Sequence, residues 1–169
     1  MLYYTEICLS PYEVPGEQSI CIYISGCCNR CKNCHYPELQ LPEHGDVLSK
    51  RISDIIDLYY SRASCVCFLG EGRDRQEERE ELVRLAKYAQ QKGLKTCLYC
   101  GRDTFIEEWM KGFDYIKIGS YQEELGALDS QTTNQHLYRK NTHGEFEDIT
   151  FLFWCEALKQ ESTLRRCRY

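Results

Sequence analysis

Apolar positions in this chain come in short runs separated by turn residues, and their spacing alternates between two periods. Residues 19–25 are almost continuously apolar and predict a buried strand that ends at Gly26. From Asp46, a plausible N-cap, Val47, Ile52, Ile55, Ile56 and Tyr59 recur at helical spacing. Ser64 to Leu69 predicts a second strand, broken by Gly70-Glu71-Gly72. Residues 75–92 predict a helix with Leu82, Leu85, Ala86 and Ala89 on one face and Gly93 as its stop. Lys95 to Tyr99 predicts a third strand, Thr104 to Met110 a short helix, and Asp114 to Tyr121 a fourth strand. Before these elements lies a tyrosine-rich opening that reads as turn-prone around Pro11, Pro15 and Gly16. After them, Gln135–Lys140 and Phe146–Trp154 flank Asn141-Thr142-His143-Gly144 as a hairpin, and a polar tail follows, helical or frayed.

Strand and helix in alternation predict an α/β fold built on a mostly parallel sheet. A complete eight-fold barrel takes about 250 residues, so 169 residues can build only a partial (β/α) barrel. We expect one domain over 1–169, with a core of about 14–140 and a C-terminal extension over 141–169. In parallel sheets ligands bind beyond the carboxyl ends of the strands. The loops expected there are Cys27–Cys34, Gly70–Asp74, Cys100–Asp103 and Gly119–Tyr121.

Composition narrows the classes. With 43% hydrophobic and 28% charged residues the chain reads as an ordinary globular protein. A formal net charge of -5 argues against a nucleic-acid partner, and Arg165, Arg166 and Arg168 read as a solvated end. No apolar run is long enough to cross a bilayer, and the first residues lack the pattern of a signal peptide, so no membrane role is expected and the cytoplasm is the expected compartment. Twelve cysteines are many for that setting. Several, such as Cys65, Cys67 and Cys97, fall inside predicted strands, where a thiol packs as a small hydrophobe.

The loop 25–35, Ser-Gly-Cys-Cys-Asn-Arg-Cys-Lys-Asn-Cys-His, is different. Cys27, Cys31 and Cys34 are spaced C-x3-C-x2-C, which can bind three irons of a cubane and leave the fourth open. A ferredoxin pattern through Cys28, Cys31 and Cys34 would need a cysteine where Glu38 stands. Zinc held by Cys31–Cys34 with Cys97–Cys100 would need a chelating pair from strand positions that face opposite sides. A redox Cys97–Cys100 pair would lack the helix N-terminus that lowers a thiol pKa. Cys28, adjacent to Cys27, projects differently and reads as a bystander, with the ligand role in place of Cys27 as its alternative. Asn29, Arg30, Lys32 and Asn33 suit a loop that offsets the charge of the sulfurs.

Gly26-Cys27-x3-Cys31-x2-Cys34 after a strand resembles the signature of the radical S-adenosylmethionine (SAM) enzymes. Val14-Pro15-Gly16, Cys34-His35-Tyr36-Pro37-Glu38-Leu39, Leu98-Tyr99-Cys100-Gly101-Arg102, Ile116-Lys117-Ile118-Gly119-Ser120-Tyr121, Glu123-Glu124-Leu125-Gly126 and Thr132-Thr133-Asn134-Gln135 follow in order. Together they resemble the activating proteins of anaerobic (class III) ribonucleoside-triphosphate reductases, over most of residues 1–140. The resemblance implies a barrel of the radical SAM type and a 4Fe-4S cluster on Cys27, Cys31 and Cys34, with SAM on its open iron. It also implies reductive cleavage of SAM to a 5′-deoxyadenosyl radical, and a glycyl radical left on the reductase. The electron would come from reduced flavodoxin or ferredoxin.

The same resemblance implies cofactor contacts at Asn33, His35, Tyr36, Gly70, Glu71, Gly72, Cys100, Lys117 and Asn134. Gly70-Glu71-Gly72 lies where relatives carry Gly-Gly-Glu, so either Glu71 or Gly72 fills the last position. A simple glycine turn is the plainer reading of that segment. Asn33 stands where many relatives carry an aromatic residue, which leaves adenine contacts to His35 or Tyr36. Activation of another glycyl-radical enzyme such as pyruvate formate-lyase, a small radical SAM synthase, and a non-catalytic zinc or iron–sulfur interaction module are the competing functions.

Overall fold

The computed structural model describes residues 1–154. The expected polar tail, with its three arginines, lies outside the described residues. Eight strands are formed: β1 (Tyr3–Ser10), β2 (Ser19–Ile24), β3 (Asp46–Val47), β4 (Cys65–Leu69), β5 (Lys95–Tyr99), β6 (Tyr115–Ile118), β7 (His136–Lys140) and β8 (Phe146–Asp148). Helices α1 (Leu48–Tyr59) and α2 (Gln76–Gln91) accompany them.

All eight strands share one sheet in the order β3-β1-β2-β4-β5-β6-β7-β8, and its ends do not join. The centre, β2-β4-β5-β6, is parallel, while β1, β3, β7 and β8 pair antiparallel at the two sides. The sheet is therefore mixed, not mostly parallel as expected. Only the connections that carry a crossover can return a strand in the same direction, and the short ones at either side reverse it. Crossovers of one hand, with strands added in one direction, put both helices on the same face. There Leu48, Ile52, Ile55 and Ile56 of α1 and Leu82, Leu85, Ala86 and Ala89 of α2 bury against Ile20, Ile22, Ile24, Val66, Phe68, Leu98 and Ile116.

The opposite face carries a second core: Cys21, Tyr23, Cys65, Cys67, Cys97, Tyr115 and Leu137, capped by Val14 and Ile149. In register, Cys8 faces Cys21, Cys21 faces Cys67, and Cys67 faces Cys97, so four cysteines form one row across four strands. Cys65, Cys67 and Cys97 are wholly buried, as expected of packing thiols. Burial pushes all three thiols up, which leaves them neutral.

Several expected elements differ. The opening is not turn-prone throughout: residues 3–10 form β1, whose alternation is broken by a bulge between Tyr4 and Glu6. Asp46 does not cap α1. Its backbone pairs with Tyr4 in β3, Val47 takes the cap position, and no side chain caps the helix. The helix expected at Thr104–Met110 is absent, and a 3-10 turn at Glu108–Gly112 stands in its place. Glu107 just before it is held by Arg102 at 2.6 Å, Arg79 at 3.1 Å and Trp109 Nε1 at 3.0 Å. For so short a segment these tertiary ties outweigh weak helix nucleation. The fourth strand is trimmed to Tyr115–Ile118, and the second arm of the hairpin to Phe146–Asp148.

Candidate metal and cofactor site

β2 ends at Ile24, and the cysteine loop leaves the sheet at the carboxyl end of the parallel strands. Two backbone bonds close its base, from Gly26 N–H (2.7 Å) and Cys27 N–H (2.8 Å) to the Leu39 carbonyl. Arg30 and Asn33 both adopt left-handed backbone, at φ 50° and 54°. Those turns fold the segment back on itself. Asn33 Nδ2 donates to Glu123 at 2.6 Å, the His35 ring packs 4.8 Å from that of Tyr121, and the Tyr23 and Tyr36 hydroxyls lie 3.2 Å apart. The loop is thus bound to β2 and to the segment after β6. Asn29 packs so closely on Gly101, after β5, that a Cβ there would lie 2.2 Å from its Nδ2.

Cys27, Cys31 and Cys34 are half-buried, and Cys28 is exposed with its thiol donating to the Gly26 carbonyl. Burial pushes the Cys27 thiol up, a backbone hydrogen bond at Asn29 opposes this, and Cys31 and Cys34 add to the rise. Among the described residues, no group of three or more His, Cys, Asp or Glu side chains is placed to hold a metal ion. Three thiols on one loop are the donor type that an iron–sulfur cluster takes.

The other expected cofactor residues fall into two groups. Lys117 alternates with Ile116 and Ile118, so it leaves the helix side and is buried on the face of the second core. Its ammonium donates to the Gly119 carbonyl at 2.6 Å and lies 5.8 Å from the centre of the Tyr99 ring. Burial pulls its pKa down to about 8, against the opposing influence of Cys100, Cys31, Asp103 and Cys27. Asn134 donates to the Ser120 carbonyl at 3.0 Å, while its shielded Oδ1 has no partner among the described residues. A donor on a ligand could use that acceptor.

Gly70, Glu71, Gly72 and Cys100 stand against the base of the cysteine loop and β6: a Cβ at Gly26 would lie 3.4 Å from the Gly72 backbone, and Cys100 N–H donates to the Lys117 carbonyl at 2.8 Å. Gly70 has φ 120° and its N–H donates to the Tyr99 carbonyl at 3.2 Å. A Cβ at Gly72 would lie 2.7 Å from the Glu78 carboxylate. The Glu71 carboxylate accepts from Arg102 Nε at 3.0 Å. Burial raises its pKa, and Cys100 and Arg102 moderate that rise. Cys100 packs in the helix-side core, its thiol pushed up to about 12 by burial and by Glu71. As folded, this segment is a glycine turn tied to the loop after β5.

Beside the cysteine loop, a cavity of about 1010 Å³ runs along the face of the second core. His35 and Tyr99 line it together with Glu13, Glu17, Asp129 and Gln135, and no Lys or Arg among the described residues is in its lining. The Tyr99 hydroxyl donates to the Glu13 carbonyl at 2.5 Å, and Glu13 Oε2 is shielded without a hydrogen-bond partner among the described residues. Sequence reasoning did not single out Glu13, Glu17 or Tyr99 as site residues. Glu13 and Glu17 precede a strand in a turn-rich stretch, and no local spacing marks them. Arg102 and Asp103 were also passed over as functional side chains. They organise the rim, Arg102 through Glu71 and Glu107, and Asp103 by accepting from Ser120 N–H and Oγ at 2.8 Å each.

No helix is long and apolar enough to cross a membrane among the described residues. No family model, curated protein or solved structure matches the chain.

Proposed function

We propose that this chain is a radical SAM activase that generates a glycyl radical on an anaerobic ribonucleoside-triphosphate reductase. One observation carries the reading: three half-buried thiols, Cys27, Cys31 and Cys34, share one short loop at the carboxyl ends of parallel strands, beside a large cavity. These three residues would hold a 4Fe-4S cluster. Bound there with SAM, the cluster supplies one-electron cleavage of the sulfonium and, through it, removal of hydrogen from a backbone glycine of the partner.

The chain's own part is to orient and to shield. The two bonds to Leu39 hold the base of the loop, and the Asn33–Glu123 and His35–Tyr121 contacts hold its far side. Lys117 sets a buried cation on the side of Cys27 and Cys31, where the negative charge of sulfur would gather. Asn134 Oδ1 is available to a donor from SAM. The unclosed sheet leaves the cavity walled by loops, through which a polypeptide segment can enter, and the docked partner would then complete the exclusion of water.

Anaerobic reconstitution with iron and sulfide tests the reading. We expect a cubane absorption spectrum, 5′-deoxyadenosine on reduction with SAM, and a glycyl-radical signal by electron paramagnetic resonance when the reductase is added. Cys31→Ala should release no 5′-deoxyadenosine. A chain that takes up only zinc and stays inert would overturn the proposal, and full cleavage by Cys31→Ala would remove the ligand assignment.

A further inference from the structure

The second core holds a pair of thiols for which the cluster chemistry has no use. Cys8 on β1 stands directly opposite Cys21 on β2 in an antiparallel pair, and both side chains pack on the same face of the sheet. Directly opposed residues of such a pair have Cα atoms about 4.5–5.5 Å apart, inside the span of about 4.4–6.8 Å that a disulfide bridges. Both are free thiols in the structure. The rest of the row is differently placed. Cys67 and Cys97 are wholly buried on strands paired along both edges, out of reach of a reagent and held in position. Cys8 is only half-buried, and beyond Tyr4 no strand pairs with the outer edge of β1 among the described residues. β1 can therefore shift to meet the geometry of a sulfur–sulfur bond. Glu13, on the wall of the large cavity, lies against Cys21: after burial and Cys67, its charge is the next influence that pushes the Cys21 thiol up. Its Oε2 is shielded and has no hydrogen-bond partner among the described residues. A carboxylate oxygen so placed can take the proton of the buried thiol.

We propose that Cys8 and Cys21 form a reversible dithiol–disulfide site that reacts with low-molecular-weight disulfides such as glutathione disulfide. The site is independent of the function proposed above. Reaction begins at Cys8, the one sulfur of the row that solvent reaches. Its thiolate attacks the reagent: a bond forms from Cys8 to one glutathione sulfur, the reagent's own sulfur–sulfur bond breaks, and the other glutathione leaves as a thiolate. Cys21 then attacks the Cys8 sulfur while Glu13 takes its proton. The second glutathione leaves, and Glu13 returns the proton to it. The two protein thiols are thereby oxidised by two electrons, and the reagent is reduced to two thiols that carry off both protons. The finished bond ties β1 to β2 beside the cavity wall, so the thiol pool around the protein sets whether β1 is free to shift.

The test uses the full chain, purified anaerobically with its thiols reduced, and glutathione disulfide as the probe. The reaction is quenched in acid, the chain is unfolded and alkylated, and cleavage after Glu13 and Glu17 separates Cys8 from Cys21. Mass spectrometry should find the two cysteines joined, and excess dithiothreitol should restore both as free thiols. Cys21→Ser should stop the reaction at the glutathione adduct on Cys8, and Cys8→Ser should leave Cys21 a free thiol. Glu13→Gln should slow closure of the bond about tenfold or more, while the adduct on Cys8 forms at the wild-type rate. A wild-type chain in which Cys21 stays open to alkylation, or in which Cys8 joins a different cysteine, would overturn the proposal. Closure at an unchanged rate in Glu13→Gln would overturn the part given to Glu13. None of these readouts involves iron or SAM, so they stand apart from the test of the activase.

Discussion

Gly70 and Gly101 show how single positions set the geometry of the rim for different reasons. Gly70 lies at φ 120°, and a Cβ there would come 3.1 Å from the Ile24 carbonyl oxygen, which cannot yield without moving β2. Gly70→Ala should therefore destabilise the fold by about 1–3 kcal/mol in urea unfolding. Gly101 has no unusual φ, and its crowding comes from the tip of the Asn29 side chain, which can swing aside. Gly101→Ala should cost under about 1 kcal/mol, yet it should lower the iron retained per chain after reconstitution, because Asn29 is displaced within the cysteine loop. A larger stability loss for Gly101→Ala than for Gly70→Ala would contradict this account. The spacing of Cys27, Cys31 and Cys34 is visible in the sequence because all three lie within eight consecutive residues. Glu13 and Tyr99 are not visible in that way, since only the fold brings residues 86 apart into contact.

Among the elements, α2 and β5 matched their sequence patterns closely, because a complete amphipathic period and a bounded apolar run are local facts. The segment 100–112 did not, because its conformation depends on a charge network: Arg102 joins Glu71, Asp74 and Glu107, and Arg79 joins Asp74 and Glu107. This network ties the loop after β4 to the loop after β5. Arg102→Ala would leave the buried Glu71 carboxylate unpaired, and we expect a loss of about 2–4 kcal/mol in thermal or urea unfolding. Adding Glu71→Gln to that variant should restore part of the loss. Full additivity of the two substitutions would show that the pair does not act as a unit.

At the scale of the whole molecule, Glu17 fastens the far ends of three parallel strands. It accepts from Ser64 at 2.6 Å before β4, from Lys95 at 2.5 Å on β5 and from Tyr115 at 2.7 Å on β6. Burial acts to raise its pKa, but the three hydrogen bonds together hold it below the ordinary carboxylate value. The Tyr115 hydroxyl is pushed up to about 12 by burial and by Glu17. Because Glu17 titrates lower when folded, its contribution is complete above the unfolded value of about 4.3 and is lost as pH falls through the folded value. Glu17→Gln should therefore lower stability by about 1–2 kcal/mol at pH 7, and the gap from wild type should narrow below about pH 4. A gap that is constant down to pH 3 would rule out this role.

The sequence alone determined the βα rhythm, the buried strands and the thiol loop with its place at the end of β2, because each is written in neighbouring residues. Tertiary structure decided what depends on pairing across long separations: the antiparallel sides of the sheet, the bulged β1, the part of Asp46 in β3, the row of cysteines across four strands, and the ion pairs of Glu17 and Arg102. The physical reason is that hydrophobic period and turn chemistry act over a few residues. Strand register and the meeting of distant charges are settled only when the whole chain competes for the same core.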